Sequence, residues 1–445
     1  MFKKSILAFL VLSLVTTTIF ASSKKQSDEK KEKEKGSFFN RVWELGVTAD
    51  VGIANNYFEI LDFFQPTIVI DFNDMYDSVG VNGLTLDLEL GAHIFSNVLT
   101  KKFSFGFDIG FDPTINMAIS KDFIDFIANG NELDETQTLT LGVAAEAFLD
   151  VVLPVNFKLG KLLAFSVSPA YFLPVVYMPY TPIGVDVTMG SDGSIVAKGE
   201  TEVALYSILP IDSFTSGTFS TSDILPLLGK GGFDISVAGT FQLLPSIKLG
   251  ASAKNIPIVP SKVNAQYKYK VSVDFETDSL VTDLLSSDTD SGSESEGESS
   301  ETDSSSSSGL DFSSMYSFEQ VDVTEVAAIN VFRPLKFGFW AEWQIFGNDL
   351  LVLTPFVQMR FLDATVGNAA GFGFDYALSL STDIKFLRSS FTTSYIDNIF
   401  KQKLFLALNC RILEVDISIS SQATTFVKSF VGSGVGVGVG VILGF

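Results

Sequence analysis

Residues 434–445 read GVGVGVGVILGF. Val435, Val437, Val439, Val441, Leu443 and Phe445 fall on one side of this run, and Gly434, Gly436, Gly438 and Gly440 on the other. A period of two puts successive side chains on opposite faces of a strand. So many glycines would make a poor helix. The run therefore reads as a strand with one apolar face and one bare face.

The same alternation recurs through the chain. Trp43, Leu45, Val47, Ala49, Val51 and Ile53 oppose Glu44, Gly46, Thr48, Asp50 and Gly52. Leu84 to Ile94 repeats the pattern against Thr85, Asp87, Glu89, Gly91 and His93, and Phe103 to Phe111 repeats it against Ser104, Gly106, Asp108, Gly110 and Asp112. Further copies are expected at 139–151, 233–241, 265–275, 335–345, 351–361, 372–380 and 404–412. Many of these runs reach nine residues or more, whereas strands in soluble sheets usually have about five or six. A tilted strand needs about 9 to 11 residues to cross a bilayer. Long strands with one apolar and one polar or glycine face fit a transmembrane barrel that is apolar outside and polar inside. The expected class is all-β, a transmembrane antiparallel β-barrel, with an outer-membrane location and outer-membrane lipid as its surroundings.

Composition agrees. Hydrophobic residues make up 46% of the chain and phenylalanine supplies 42 of them, yet no segment beyond the N-terminus is apolar enough for a spanning helix. A closed barrel is the other way to satisfy every backbone group in lipid. At the N-terminus, Lys3 and Lys4 precede an apolar run from Ile6 to Phe20 and the small residues Ala21, Ser22 and Ser23, the layout of a secretory signal. We expect a signal peptide over 1–21, a charged periplasmic tether over 22–40 and the barrel over 41–445. The single cysteine, Cys410, leaves no thiol after the signal for a lipid anchor and permits no intrachain disulfide. The terminal strand also resembles the C-terminal assembly signal of outer-membrane barrels. That implies the barrel-assembly machinery as a partner and Val439, Val441, Leu443 and Phe445 as the residues it reads.

Three segments depart from alternation. In SKDFIDFIANGN, residues 120–131, Ile119, Phe123, Ile124 and Ile127 have helical spacing. Ser120 can cap the first turn, Ile119 can staple to Ile124, and Asn129-Gly130 provides an exit. A short amphipathic helix over 121–128 is expected there. The stretch from Pro174 to Gly232 carries five prolines counted at 174, 179, 182, 210 and 226, too many for central ladder positions, and reads as long extracellular excursions with a hairpin turn at Ser191-Asp192-Gly193. The acidic serine tract 286–308 reads as a disordered loop.

Function classes narrow from here. A net charge of -22, from 52 acidic against 30 basic residues, disfavours nucleic acid as a partner. One histidine and one cysteine far apart give no metal spacing, and no serine or carboxylate motif brackets His93 as a hydrolase would require. No enzyme, metal or cofactor is expected. His93, Glu342, Arg360, Lys268 and Lys270 occupy polar faces and should line a hydrated lumen, whereas the phenylalanines of 103–111 should face lipid.

The mature length, cleaved signal, early inserted helix and terminal GVGVILGF together resemble the FadL-like outer-membrane barrels of treponemes, relatives of the long-chain fatty-acid transporters. That resemblance implies about 14 strands and passage of a hydrophobic ligand through an apolar pocket, past a small N-terminal hatch and out through a kink or the lumen. Here a charged tether stands where the hatch would be. Uptake of a hydrophobic small molecule is the first expectation, with Ile119, Phe123, Ile124 and Ile127 as the ligand-contacting residues. A general diffusion porin and a surface adhesin or structural barrel are the alternatives.

Overall fold

The computed structural model describes residues 41–59, 70–80, 83–100, 102–130, 132–160, 162–209, 227–277, 316–321, 328–346, 350–361, 371–384, 386–396, 399–430 and 432–444. Residues 1–40, where a signal peptide and a tether are expected, the acidic tract and Phe445 lie outside them.

The strands line up as fourteen antiparallel staves. Their order around the barrel is that of the chain: β1 (Trp43–Asn55), β2 (Leu84–Leu99), β3 (Phe103–Ile119), β4 (Thr136–Val152 continued by Val155–Leu159), β5 (Leu163–Met189), β6 (Ile195–Ser207 continued by Gly232–Leu244) and β7 (Ile247–Val259 continued by Ser261–Thr277). Next come β8 (Tyr316–Val321, Ile329–Val331 and Lys336–Gln344), β9 (Val352–Phe361), β10 (Phe372–Ile384), β11 (Leu387–Ile396), β12 (Ile399–Asn409), β13 (Leu413–Ala423) and β14 (Gly434–Gly444). The last stave pairs with the first from Glu44↔Gly444 to Ala54↔Gly434. Closure removes the unpaired edges that lipid could not satisfy.

The two faces are inverted relative to a soluble protein. On β1, Val47 is 52% exposed while its neighbours Thr48 and Asp50 are buried. Phe105, Phe107, Ile109, Phe111, Ile115 and Met117 of β3 all lie open on the outer surface. An apolar exterior around a polar, charged interior is stable only where the exterior meets hydrocarbon, so this is an outer-membrane barrel. Inward aromatic rings are accommodated by glycines on the neighbouring stave: Phe95 lies over Gly46, and Trp340 over Gly250, where a Cβ would fall 2.3 and 2.0 Å from ring atoms.

Short turns join β2 to β3, β4 to β5, β6 to β7 and β12 to β13 at one end, and the chain leaves β1, β3 and β7 for the long connections 56–83, 120–135 and 278–315 at the other. Short turns mark the periplasmic end of such barrels and long loops the extracellular one. The connection from β13 to β14 folds back onto the outer wall instead of rising from it. Gln402 sits on the lipid-facing side of β12, in phase with the exposed Leu404 and Leu406, yet it is buried and donates to Ser429 Oγ at 2.9 Å. The flap continues through a 3-10 turn at Lys428–Phe430. Phe430 stacks on Phe391 with ring centroids 6.3 Å apart, and Phe426 meets Phe400 edge-on at 5.7 Å.

The structure corrects the reading of 174–232. Pro174 and Pro182 lie within β5, paired to Phe148 and Gly142 of β4, and Pro179 falls inside the register shift between Met178 and Thr181. Bulges leave residues unpaired and release them from ladder duty, which is how a 27-residue stave tolerates Pro179. The gap between strands narrows to 208–231, of which 210–226, with Pro210 and Pro226, lie outside the described residues. The hairpin at 190–194 forms as expected, with Gly193 at φ +88. The run 404–412 ends earlier than expected: β12 stops at Asn409, and Arg411, at φ +72, turns the chain into β13.

Candidate functional site

At the extracellular mouth, two short helices pack together. The first, α1 (Phe72–Ser78), is capped by Asp71, whose carboxylate accepts from the Asn73 and Asp74 amides. The second, α2 (Lys121–Asn129), is the helix expected from sequence, one residue longer. Ser120 Oγ accepts from the Phe123 amide at 3.2 Å, and Gly130, at φ +79, closes the far end. Met75, Val79 and Ile124 are buried between the helices, with Ile119, Leu84, Tyr57, Phe58, Phe72 and Tyr76 packed around them. The Lys121 ammonium sits 4.1 Å over the Tyr76 ring.

The four expected ligand-contacting residues thus divide. Ile119 and Ile124 help to hold the helix pair together, Phe123 is half-buried, and Ile127 is exposed. The first helix escaped the sequence reading because its apolar positions are few and its one clear signal, an Asp cap, is common in loops.

Inside the barrel, charged side chains bridge staves that are not neighbours. Arg333, in the connection after Val331 of β8, donates from Nε and Nη2 to the two oxygens of Asp234 on β6 at 2.7 and 2.8 Å, and from Nη1 to Asp150 on β4. Its guanidinium lies 5.3 Å from the centroid of the Phe172 ring on β5. Beside this cluster, His93 meets Asp108 at 3.2 Å and Asp112 at 3.1 Å through its two ring nitrogens. Gly110 makes room, since a Cβ there would fall 2.6 Å from Asp150 Oδ1 and 2.8 Å from the imidazole.

A second bridge joins Lys401 of β12 to Glu89 of β2 at 3.3 Å, beside a small cavity lined by Asp50, Ser418, Ser420 and Gly436. At the periplasmic end, Arg41 donates to Glu414 at 3.1 Å, to Asn409 Oδ1 at 3.1 Å and to the Arg411 carbonyl at 2.9 Å. The sequence placed Glu342 and Arg360 in the lumen, and there they stand, paired with Lys248 at 3.0 Å and Asp375 at 2.7 Å. Lys268 and Lys270 pair across to Glu202 and Glu200. Arg333 was missed because it sits in no alternating run; its only signal is a lone arginine before a proline between two strand segments.

Among the described residues, the wall carries an apolar junction where β6 is interrupted. Phe148, Phe172, Leu173, Tyr177, Ile208, Val263 and Val331 are buried there together. The chain is knitted across the break by the Ile208 amide donating to Pro174 O at 3.1 Å and by Ser261 Oγ donating to Lys230 O at 2.9 Å.

The sequence matches no family model and no curated protein. Among solved structures, the fold is similar to that of the Ralstonia pickettii toluene transporter TbuX, at 8% identity over 91% of this chain and 90% of that one, with a TM-score of 0.41. It is similar to the P. putida toluene transporter TodX, at 8% identity over 91% and 89%, with a TM-score of 0.44. The translocator domain of the autotransporter NalP from Neisseria meningitidis matches at 8% identity over 97% of both chains, with a TM-score of 0.31. The barrel itself is established by the register that closes β14 onto β1.

Proposed function

We propose that this barrel admits small hydrophobic molecules across the outer membrane, with long-chain fatty acids as the first cargo class to test. One observation carries the reading: the lumen is bridged by ion pairs between non-neighbouring staves, while buried apolar clusters gather at the outer mouth, around Ile124, and at the wall junction, around Phe172. A lumen spanned by Arg333 and by the Lys401–Glu89 pair suits a gated route better than free diffusion of solutes. Phe123 and Ile127 form the accessible side of the mouth, backed by Ile119 and Ile124. The junction around Phe172 and Ile208 offers the way out. The outward row Val439, Val441 and Leu443, with Phe445, is the surface we assign to the barrel-assembly machinery.

The test is made on the mature protein in planar bilayers and in detergent, with and without a long-chain fatty acid. Near-zero conductance and saturable binding are expected, with affinity falling more than tenfold in Phe123→Asp/Ile127→Asp, because each buried apolar side chain contributes roughly 1.5–3 kcal/mol. Large stable conductance steps indifferent to fatty acid would replace this reading with a diffusion porin. Neither conductance nor binding would leave a structural or adhesive barrel.

A further inference from the structure

Some lumen-facing lysines in this barrel meet carboxylates, as Lys248 meets Glu342 and Lys401 meets Glu89, while Lys403 is buried without a hydrogen bond. Lys254 and Lys336 differ from all of these in facing another cation. They face each other directly across β7 and β8, in register, and Lys336 is in turn opposite Arg360 on β9. The three lie in phase with Lys248, Glu342 and Gln358, the buried inward side of these staves. Like charges directly opposite each other destabilise a sheet, so an in-register row of three cations is a costly arrangement for a wall to keep.

The row is also under-neutralised. Arg360 is held by Asp375, which Gln358 Nε2 engages as well at 3.0 Å. Glu146, Asp375, Arg333 and Arg360 are the charged groups around Lys336, neither carboxylate forming an ion pair with it, and Lys336 is the charged neighbour of Lys254. Among the described residues, neither lysine has a hydrogen-bond or ion-pair partner. Their position is nevertheless fixed. Asn255, at φ +56, bulges the stave just after Lys254, donating from its amide to Ser236 Oγ and from Nδ2 to the Pro334 carbonyl, both at 3.0 Å. The adjoining rung pairs Gly338 with Ser252, which supplies a hydroxyl donor beside the Phe356 ring, the hydroxyl 2.8 Å and the ring 3.1 Å from where a Cβ on Gly338 would fall.

We infer that Lys254 and Lys336, with Arg360 completing the row, form an oxyanion-binding station inside the lumen, suited to a phosphate-type group. Two ammonium point charges about one strand spacing apart, with a hydroxyl beside them, can bind the oxygens of one tetrahedral anion from two sides. A bound anion would supply the counter-charge that the wall withholds. The station goes beyond hydrophobe uptake and does not depend on it.

The experiment uses the mature barrel in neutral detergent and measures binding of radiolabelled inorganic phosphate by equilibrium dialysis at low chloride, with dodecyl phosphate in a parallel arm. Saturable binding is expected, weakened about tenfold in each of Lys254→Gln and Lys336→Gln and unchanged in Lys428→Gln on the outer flap. Because the glutamine variants relieve repulsion, they should fold, which heat-modifiable gel mobility checks. Phosphate should also raise the melting temperature of the parent barrel and not that of either variant. Binding of inorganic phosphate assigns the station to the free ion; binding of dodecyl phosphate alone assigns it to an amphiphile's headgroup. Absence of saturable binding in both arms, or equal binding by parent and variants, would overturn the inference.

Discussion

Replacing Arg333 by methionine tests whether the lumen bridge is a structural tie. Methionine keeps the contact with the Phe172 face and removes the charge. It leaves Asp234, 1% exposed, and Asp150, 7% exposed, without the guanidinium that satisfies three of their oxygen contacts. Breaking a buried pair by deleting one partner costs about 3–5 kcal/mol. The lower end applies here, because water entering the lumen can reach Asp150 more easily than Asp234. We expect a loss of ~3 kcal/mol in denaturant unfolding of the reconstituted barrel, followed by tryptophan fluorescence. Adding Asp234→Asn to Arg333→Met should recover a part of that loss, because it removes one of the two stranded charges. The reasoning is refuted if Arg333→Met lies within about 0.5 kcal/mol of the parent, the range of an ordinary surface change. Strict additivity of the two substitutions would refute it equally, because coupled partners do not add.

Two further outcomes follow from groups at the extracellular end. Ser120→Ala removes the cap of α2 and should cost about 0.5–2 kcal/mol, confined to the helix pair. Amide exchange at Phe123 and Ile124 should quicken while unfolding of the barrel is unchanged. At the β5–β6 hairpin, the Ser194 hydroxyl and amide hold the Asp192 carboxyl below its ordinary value. A depressed folded pKa means that the contact stabilises the turn above the unfolded value and is lost as pH falls through the folded one. Exchange protection of the Ser194 amide should therefore be full at neutral pH and decline below the usual carboxylate range; flat protection through acid pH would contradict it.

The parts legible in sequence were those set by a period of two. Trp43 to Ile53, Leu84 to Ile94 and Phe103 to Phe111 turn their apolar faces outward, and His93 turns inward, because a one-residue shift would reverse a whole strand. The α2 helix was legible through its cap and spacing. Where the reading failed, the local rule had been overridden. Pro174, Pro179 and Pro182 argued against a strand, but Pro179 falls in a bulge, and Pro174 and Pro182 lie where the ladder from β5 to β6 is interrupted. Partnership across the lumen was not legible at all. That Lys401 meets Glu89, or that Arg333 meets Asp150 and Asp234, depends on how staves far apart in sequence curve toward one another. The pairing of Lys254 with Lys336 was hidden for the same reason, since register between β7 and β8 is set across a long intervening connection.

The closing stave has one more property. GVGVGVGV maps onto itself when displaced by two residues, so valine again meets the outside and glycine the inside, and the side chains of its centre do not distinguish the correct rung from the next. What distinguishes it are the stops at its two ends. Above, the Asn55 amide donates to Ser433 O at 3.2 Å and Gln422 Nε2 donates to Ile53 O at 3.3 Å. Below, the Gly444 amide donates to Ile412 O at 2.8 Å, and Arg41 grips the neighbouring turn. The seam thus works like a slide fastener with identical teeth. It can engage at any of several rungs and travel along them, and only the two end clamps, closed together, tell it where to halt.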